Sequence, residues 1–221
     1  MTLKDASAYN IQFKNCNPVF IDTLSLETYT PGSPWQAYKQ FCQHFLAPLA
    51  LMSYCDIRLG LMSQSHIDGI PLDLAARLLP GRSLFNIGIL THIHLHARAQ
   101  KSYADNVNAS QIIKERKISK MGFQGIIESL ESTVKKLRCH TNNTEWGDYY
   151  NNTNYDDLAL NNKKQLVKKY LEQISPDQLW DLGANTGEFS RVAVALGIET
   201  VAFDIDPIAV EANYQQGKKN K

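Results

Sequence analysis

One segment constrains this chain more than any other: LWDLGANTGEFS, residues 179–190. A short apolar run enters a turn carrying Gly183 and Gly187 and leaves into an amphipathic stretch with the period of a helix. Glycine reaches backbone angles closed to other residues, and its missing side chain lets a ligand lie against the main chain. A second apolar run, VAF at 201–203, ends at Asp204. That carboxylate follows the first glycine by roughly 20 residues, the separation at which a doubly wound sheet places an acidic group beside a ribose. The pattern predicts strand, turn, helix and strand, with Asp204 accepting hydrogen bonds from two ribose hydroxyls.

The turn also discriminates between ligands. A nicotinamide-binding turn prefers Gly-x-Gly-x-x-Gly, which seats a pyrophosphate on the helix N-terminus. Here the order is Asp181, Gly183, Gly187, with a carboxylate at the place a phosphate would occupy. A cationic ligand suits that arrangement better. A plain strand-to-helix turn without a ligand, or a turn for another nucleotide, is the competing reading. Asp206, followed by Pro207, reads as the cap of the next helix.

At this point the sequence resembles the class I S-adenosylmethionine-dependent methyltransferases. DLGANTG (181–187) looks like their first motif, and VAFDID (201–206) with Pro207 looks like their second. The resemblance covers 178–214. It implies that Asp181, Gly183, Ala184, Asn185 and Gly187 surround the methionine end of the cofactor, that Asp204 holds the ribose, and that Ile205 lies against the adenine. It also implies a sheet of about seven strands; at roughly 30 residues per strand-helix-strand unit, more than 100 residues are expected beyond Lys221. The chain therefore reads as a C-terminally truncated fragment whose catalytic residues and methyl acceptor cannot be assigned. Two strands alone leave apolar edges uncovered, which favours self-association or local disorder.

The remainder is predicted to be mostly helical. Residues 10–13 and 18–21 read as a short β-hairpin. Trp35, Tyr38, Phe41, Cys42, Phe45, Leu46 and Leu49 recur at helical steps, so a helix is expected from Ser33, its cap, with Pro34 in its first turn. Further helices are predicted at 71–79, within 84–104, at 123–137 and at 158–171. Residues 140–154 are Asn-rich and poor in aliphatics, which marks a boundary. The expected organisation is a helical region over 1–140, a linker over 141–156, and a partial Rossmann-like methyltransferase domain over 157–221. The fold class is α/β, a mostly helical N-terminal region with a hairpin followed by the first βαβα unit of that sheet.

The opening residues carry a second resemblance. Asp5, Asn10 and Asp22 match the spacing of the catalytic and metal-binding loops of kinase-like phosphotransferases, whose helical lower lobe the following stretch would suit. That likeness implies Asp5 as proton acceptor and Asn10 with Asp22 as magnesium ligands. No glycine-rich loop or strand lysine precedes Asp5, and Thr23-Leu24 replace the usual aromatic-glycine pair. The alternative is a hairpin whose Asp and Asn side chains make turn hydrogen bonds. Together the two likenesses resemble bacterial methyltransferase-like proteins related to nodulation proteins, with phosphotransferase remnant and non-catalytic docking module as rival functions.

Other features point to less. Twenty-three Lys plus Arg against 22 Asp plus Glu give a net charge of +1, so no general field draws the chain to nucleic acid. The longest nearly apolar stretch, 45–54, is far below the ~20 residues that span a bilayer, and the start has no secretory pattern. A cytoplasmic protein without a membrane partner is expected, with its oligomeric state open. In that compartment Cys16, Cys42, Cys55 and Cys139 are ordinary thiols and the sequons at Asn108, Asn142 and Asn151 carry no glycan. His92, His94 and His96 would share a face only on a strand; on the expected helix only His92 and His96 do, which favours packing histidines and no metal. Trp146, Tyr149 and Tyr150 read as linker anchors, and Lys163, Lys164, Lys168 and Lys169 as a solvated helix face opposite Leu166, Val167, Tyr170 and Leu171.

Overall fold

Turn chemistry and a few non-local pairings set the first elements. In the computed structural model, which describes residues 1–15, 17–104, 117–138 and 157–219, β1 (Thr2–Leu3) pairs antiparallel with β4 (Leu26–Glu27). Between them β2 (Ile11–Lys14) and β3 (Asn17–Phe20) form the expected hairpin, closed through Asn15 in the left-handed region at φ 48°. Cys16, Cys139, the linker expected over 141–156, Trp146, Tyr149, Tyr150 and the three sequons lie outside the described residues. The chain divides into two compact units, Met1–His140 and Thr141–Lys221.

The first helix starts later than its apolar period suggests. It begins at α1 (Tyr38–Phe41), passes through a π-helical stretch, Cys42–Leu46, and continues as α2 (Ala47–Tyr54). Ser33 does not cap it. The Trp35 indole donates to the Leu3 carbonyl at 2.7 Å, which anchors the preceding segment to β1 and delays the first helical turn. After α3 (Met62–Ser65) and α4 (Leu72–Leu78), a 3-10 turn at Gly81–Phe85 leads to α5 (Ile87–Ile89), a second π-helical stretch at Leu90–Leu95, and α6 (His96–Ala104). The last helix of this unit, α7 (Lys120–Lys136), is capped by Ser119, whose hydroxyl accepts from the Gly122 amide at 3.0 Å.

These helices enclose one apolar core. Leu46, Ala50, Leu51, Ile70, Leu72, Ile89 and Ile93 are fully buried, with Leu130 of α7 added from the side. Each such aliphatic side chain contributes about 1.5–3 kcal/mol on burial, so the core, more than any single polar bond, holds this unit together. Cys42 and Cys55 are free thiols; burial pushes Cys42 up to about 12, against a lowering hydrogen bond with Tyr38, so it is unreactive at neutral pH.

The second unit contains α8 (Asp157–Ile174), β5 (Gln178–Leu182), α9 (Glu188–Ala195), β6 (Glu199–Phe203) and α10 (Pro207–Lys219). The two strands are parallel neighbours, Asp181 opposite Ala202 and Leu182 opposite Phe203. One face of this pair turns Trp180, Leu182, Val201 and Phe203 outward, with Trp180 and Phe203 edge to face at 5.7 Å. The chain is thus mixed α/β, mostly helical, with three two-stranded sheets among the described residues. Among the described residues no helix is long and apolar enough to cross a membrane.

Candidate functional site

The turn after β5 is built from left-handed residues. Gly183, Asn185 and Gly187 have φ of 79°, 49° and 80°, so the chain reverses tightly and delivers the first turn of α9 beside the ends of both strands. The amides of Gly183 and Ala184 both donate to the Phe203 carbonyl at 2.9 Å, which fastens the turn to β6. Ala184 is buried beneath it. At Gly187 space as well as angle demands glycine, because a Cβ there would stand 2.1 Å from Oδ1 of Asn213 on α10. Nothing lies within 4 Å of the corresponding position at Gly183, so that backbone faces open space.

Asp204 is the second fastening. Its Oδ2 accepts from the Asn185 amide at 2.7 Å and its Oδ1 from the Asp206 amide at 2.8 Å. Charge-assisted bonds of this kind are worth about 1.5–3 kcal/mol each, so the carboxylate shapes the turn whether or not a ligand is present. Each oxygen retains a further lone pair for an external donor. Asp206 is buried and caps α10, accepting from the Ile208 amide at 2.8 Å, as its place before Pro207 predicts. Ile205, between the two aspartates, is 92% exposed, an apolar side chain standing at the lip of the turn.

Asp181 is half-buried and committed to α9, where the Ser190 hydroxyl donates to its Oδ2 at 2.6 Å. The structure therefore gathers Asp181, Gly183, Ala184, Asn185, Gly187, Asp204 and Ile205 around one turn. Sequence reasoning missed Ser190 and Asn213; Ser190 carries a signal, lying inward on a helical period that starts at Gly187, whereas Asn213 carries none.

A charged cluster flanks the turn. The Glu188 carboxylate takes the Lys164 ammonium at 2.5 Å and the Arg191 guanidinium, whose other nitrogen donates to the Thr186 carbonyl at 2.6 Å. Burial raises Glu188, but the Lys164 hydrogen bond and the charges of Arg191 and Lys164 outweigh it and hold the carboxyl below its usual value. The lysine face of α8 is accordingly not wholly solvated. Lys164 is spent on Glu188 and Lys163 lies 4.9 Å from the Phe189 ring centre, while Leu166 and Tyr170, expected inside, are exposed. Lys163, Lys168 and Lys169 are exposed and Leu171 is buried as expected, so the departure is confined to Lys164, Leu166 and Tyr170.

In the first unit Asp5, Asn10 and Asp22 serve turns. Asp5 Oδ1 accepts from the Ser7 amide and the Gln40 side chain at 2.9 and 2.8 Å. Asp22 caps a 3-10 turn through the Leu24 amide and meets Asn10 only through Ser25, which donates to Asp22 at 2.6 Å and lies 3.0 Å from Asn10. The histidines also pack: His92 and His96 face Tyr38, whose ring stacks on His96 at 4.8 Å, while His94 meets Ser83 at 2.9 Å. Among the described residues no three His, Cys, Asp or Glu side chains are grouped to hold a metal.

Comparison with known proteins adds one relative. Over 217 residues, 97% of this chain, the sequence is 34% identical to the nodulation protein NoeA of Rhizobium meliloti (strain 1021). The alignment takes in 46% of that protein, so the chain spans about half the length of the curated relative it matches. No family model matches the chain, and no solved structure does.

Proposed function

We propose that the second unit binds S-adenosylmethionine at the turn after β5 and forms part of a methyltransferase. The observation that carries this reading is the pairing of Asp204 with the Asn185 amide, which puts a carboxylate and an open glycine turn at adjacent ends of two parallel strands. Parallel strand ends at such a turn are where open α/β sheets bind ligands. The acceptor groups fit the cofactor: Asp181 supplies negative charge toward the methionine end, Asp204 a carboxylate for the ribose, and the turn amides are already spent on protein acceptors, which leaves no pyrophosphate cradle.

In this reading Asp204 accepts the ribose hydroxyls on its remaining lone pairs and Ile205 lies against the adenine. Asp181, Gly183, Ala184, Asn185 and Gly187 surround the methionine end. Bound S-adenosylmethionine supplies an activated methyl group. The protein's share is orientation, which can account for several kcal/mol of barrier reduction when donor and acceptor are aligned. The acceptor, the nodulation setting in the relative's name and residence in the cytoplasm belong to the same proposal for this chain.

Calorimetric titration of the chain with S-adenosylmethionine and with its demethylated product is the test. Saturable binding of both is expected, abolished in Asp204→Ala. Because Asp204 also shapes the turn, Ile205→Ser is the sharper variant: its side chain is exposed, so lost stability cannot explain weakened binding. A folded chain that binds neither ligand, or an Ile205→Ser chain that binds as tightly as wild type, contradicts the assignment.

A further inference from the structure

The first unit contains a cleft of about 610 Å³ between the 3-10 turn at 81–85, α5 and α7. That volume falls in the range of small-molecule sites, roughly 300–1,000 Å³. Its lining has a consistent chemistry. Arg82 and Lys136 supply two positive charges, Tyr54, Ser129, Ser132 and Thr133 supply hydroxyls, and no carboxylate lines it. Among the described residues neither cation is in an ion pair, whereas the adjacent Lys135 is matched to Glu131. Phe85 and Ile87, at the same cleft, are 90% and 79% exposed.

The walls are fixed before any ligand arrives. Arg82 donates to the Tyr54 carbonyl at 2.6 Å and lies over the Tyr54 ring, which sets the guanidinium in place. Asn86 caps α5 through the Gly88 amide at 3.0 Å and reaches the Tyr54 hydroxyl at 3.3 Å. Gly88 lets α5 approach α7 so closely that a Cβ would stand 1.8 Å from the Thr133 hydroxyl. Ser129, on the cleft wall, meets His92 Nε2 at 2.9 Å, and Tyr38 holds the other ring nitrogen at 2.7 Å. A hydroxyl oriented by a buried chain of this kind loses little freedom when it binds a ligand.

We propose that this cleft binds a small amphiphilic anion, an oxyanion group carried on an apolar or aromatic body. Arg82 and Lys136 take the anionic group with the hydroxyls of Ser129 and Ser132. Phe85 and Ile87 cover the apolar part. Two unmatched cations without a nearby carboxylate favour anions over cations, and exposed apolar side chains beside them favour an organic anion over a bare one. The cleft is lined by residues of the first unit alone, so the proposal does not rest on the cofactor reading of the second.

The whole chain, titrated calorimetrically with phenyl phosphate, inorganic phosphate and benzyl alcohol, tests this. Saturable binding of phenyl phosphate is expected, with inorganic phosphate about tenfold weaker and benzyl alcohol not bound; tenfold corresponds to about 1.4 kcal/mol. Lys136→Gln, at an exposed position, is expected to weaken phenyl phosphate at least tenfold, and Lys135→Gln to leave it unchanged. Arg82→Lys keeps the charge and loses the planar fork, so binding should fall with the fold intact by circular dichroism. No saturable binding by the folded chain, or equal affinity in wild type and Lys136→Gln, overturns the proposal. Equal affinity for phenyl phosphate and inorganic phosphate overturns the amphiphilic assignment. Binding of S-adenosylmethionine in Lys136→Gln should equal that of wild type, which separates the fate of this site from that of the cofactor turn.

Discussion

The two units are held in different ways. In the first, Leu46, Leu51, Ile70, Leu72, Ile89 and Ile93 are closed over by their own neighbours, and the polar clusters sit around that core. In the second, the described core is small, mainly Leu171, Ala184, Ala193, Ile208 and Ala209. Trp180 and Leu182 are 63% and 75% exposed on the open sheet face. Yet the turn of the second unit is the better defined site, fixed by Asp204, by paired amides on the Phe203 carbonyl and by the Gly187–Asn213 contact. A few directional bonds between adjacent residues can position a site whose surrounding hydrophobic surface is only half covered.

The comparison can be broken most forcefully in the first core. Leu46→Ala removes a fully buried side chain and should cost about 3 kcal/mol, read as an earlier urea midpoint for amide signals of 1–138 with those of 157–219 unmoved. A matched shift in both units would mean that they do not unfold separately. Gly187→Ala is the counterpart in the second unit. Its Cβ meets Asn213 and its left-handed angle strains any side chain, so a loss of about 2 kcal/mol confined to 157–219 is expected by hydrogen exchange.

Acidity sharpens the contrast, because all six histidines lie at or before His140. Burial lowers His92, with His96 adding to it, and burial lowers His94 beside Arg98. His96 is lowered by burial and by Lys39 against a raising effect of the His92 backbone. A histidine with a lowered folded pKa is protonated more readily when unfolded. Its stability contribution is therefore full above about 6.5 and declines as pH falls below that value. Urea titrations at pH 7.5 and 5.5 should show the first unit losing stability on acidification and the second nearly constant. The smallest effect is expected at Trp180→Ser, on the open face, with a stability change within about 0.5 kcal/mol by the same titration.

Different parts of this architecture were legible for different physical reasons. The β5 turn and its strands announce themselves because the glycine positions, two short apolar runs and Asp204 are local signals. The hairpin at β2–β3 is local too. The π-helical stretches at Cys42–Leu46 and Leu90–Leu95 have no such mark, since the extra residue per turn is a backbone adjustment that the apolar period does not encode. The β1–β4 pairing joins two-residue strands far apart in sequence, and the late helix start depends on Trp35 reaching Leu3. The solvated face of α8 is legible at Lys168, Lys169 and Leu171, but not at Lys164, which answers to Glu188, a partner that no helical period reveals.

The most direct test of the cofactor turn is a titration of the isotope-labelled chain with S-adenosylmethionine, following backbone amides by nuclear magnetic resonance. Saturable shifts concentrated at Gly183, Asn185, Gly187 and Ile205, with the amides of 1–138 unmoved, are the predicted result. Dispersed, folded spectra in which those four amides stay still at saturating cofactor would contradict it.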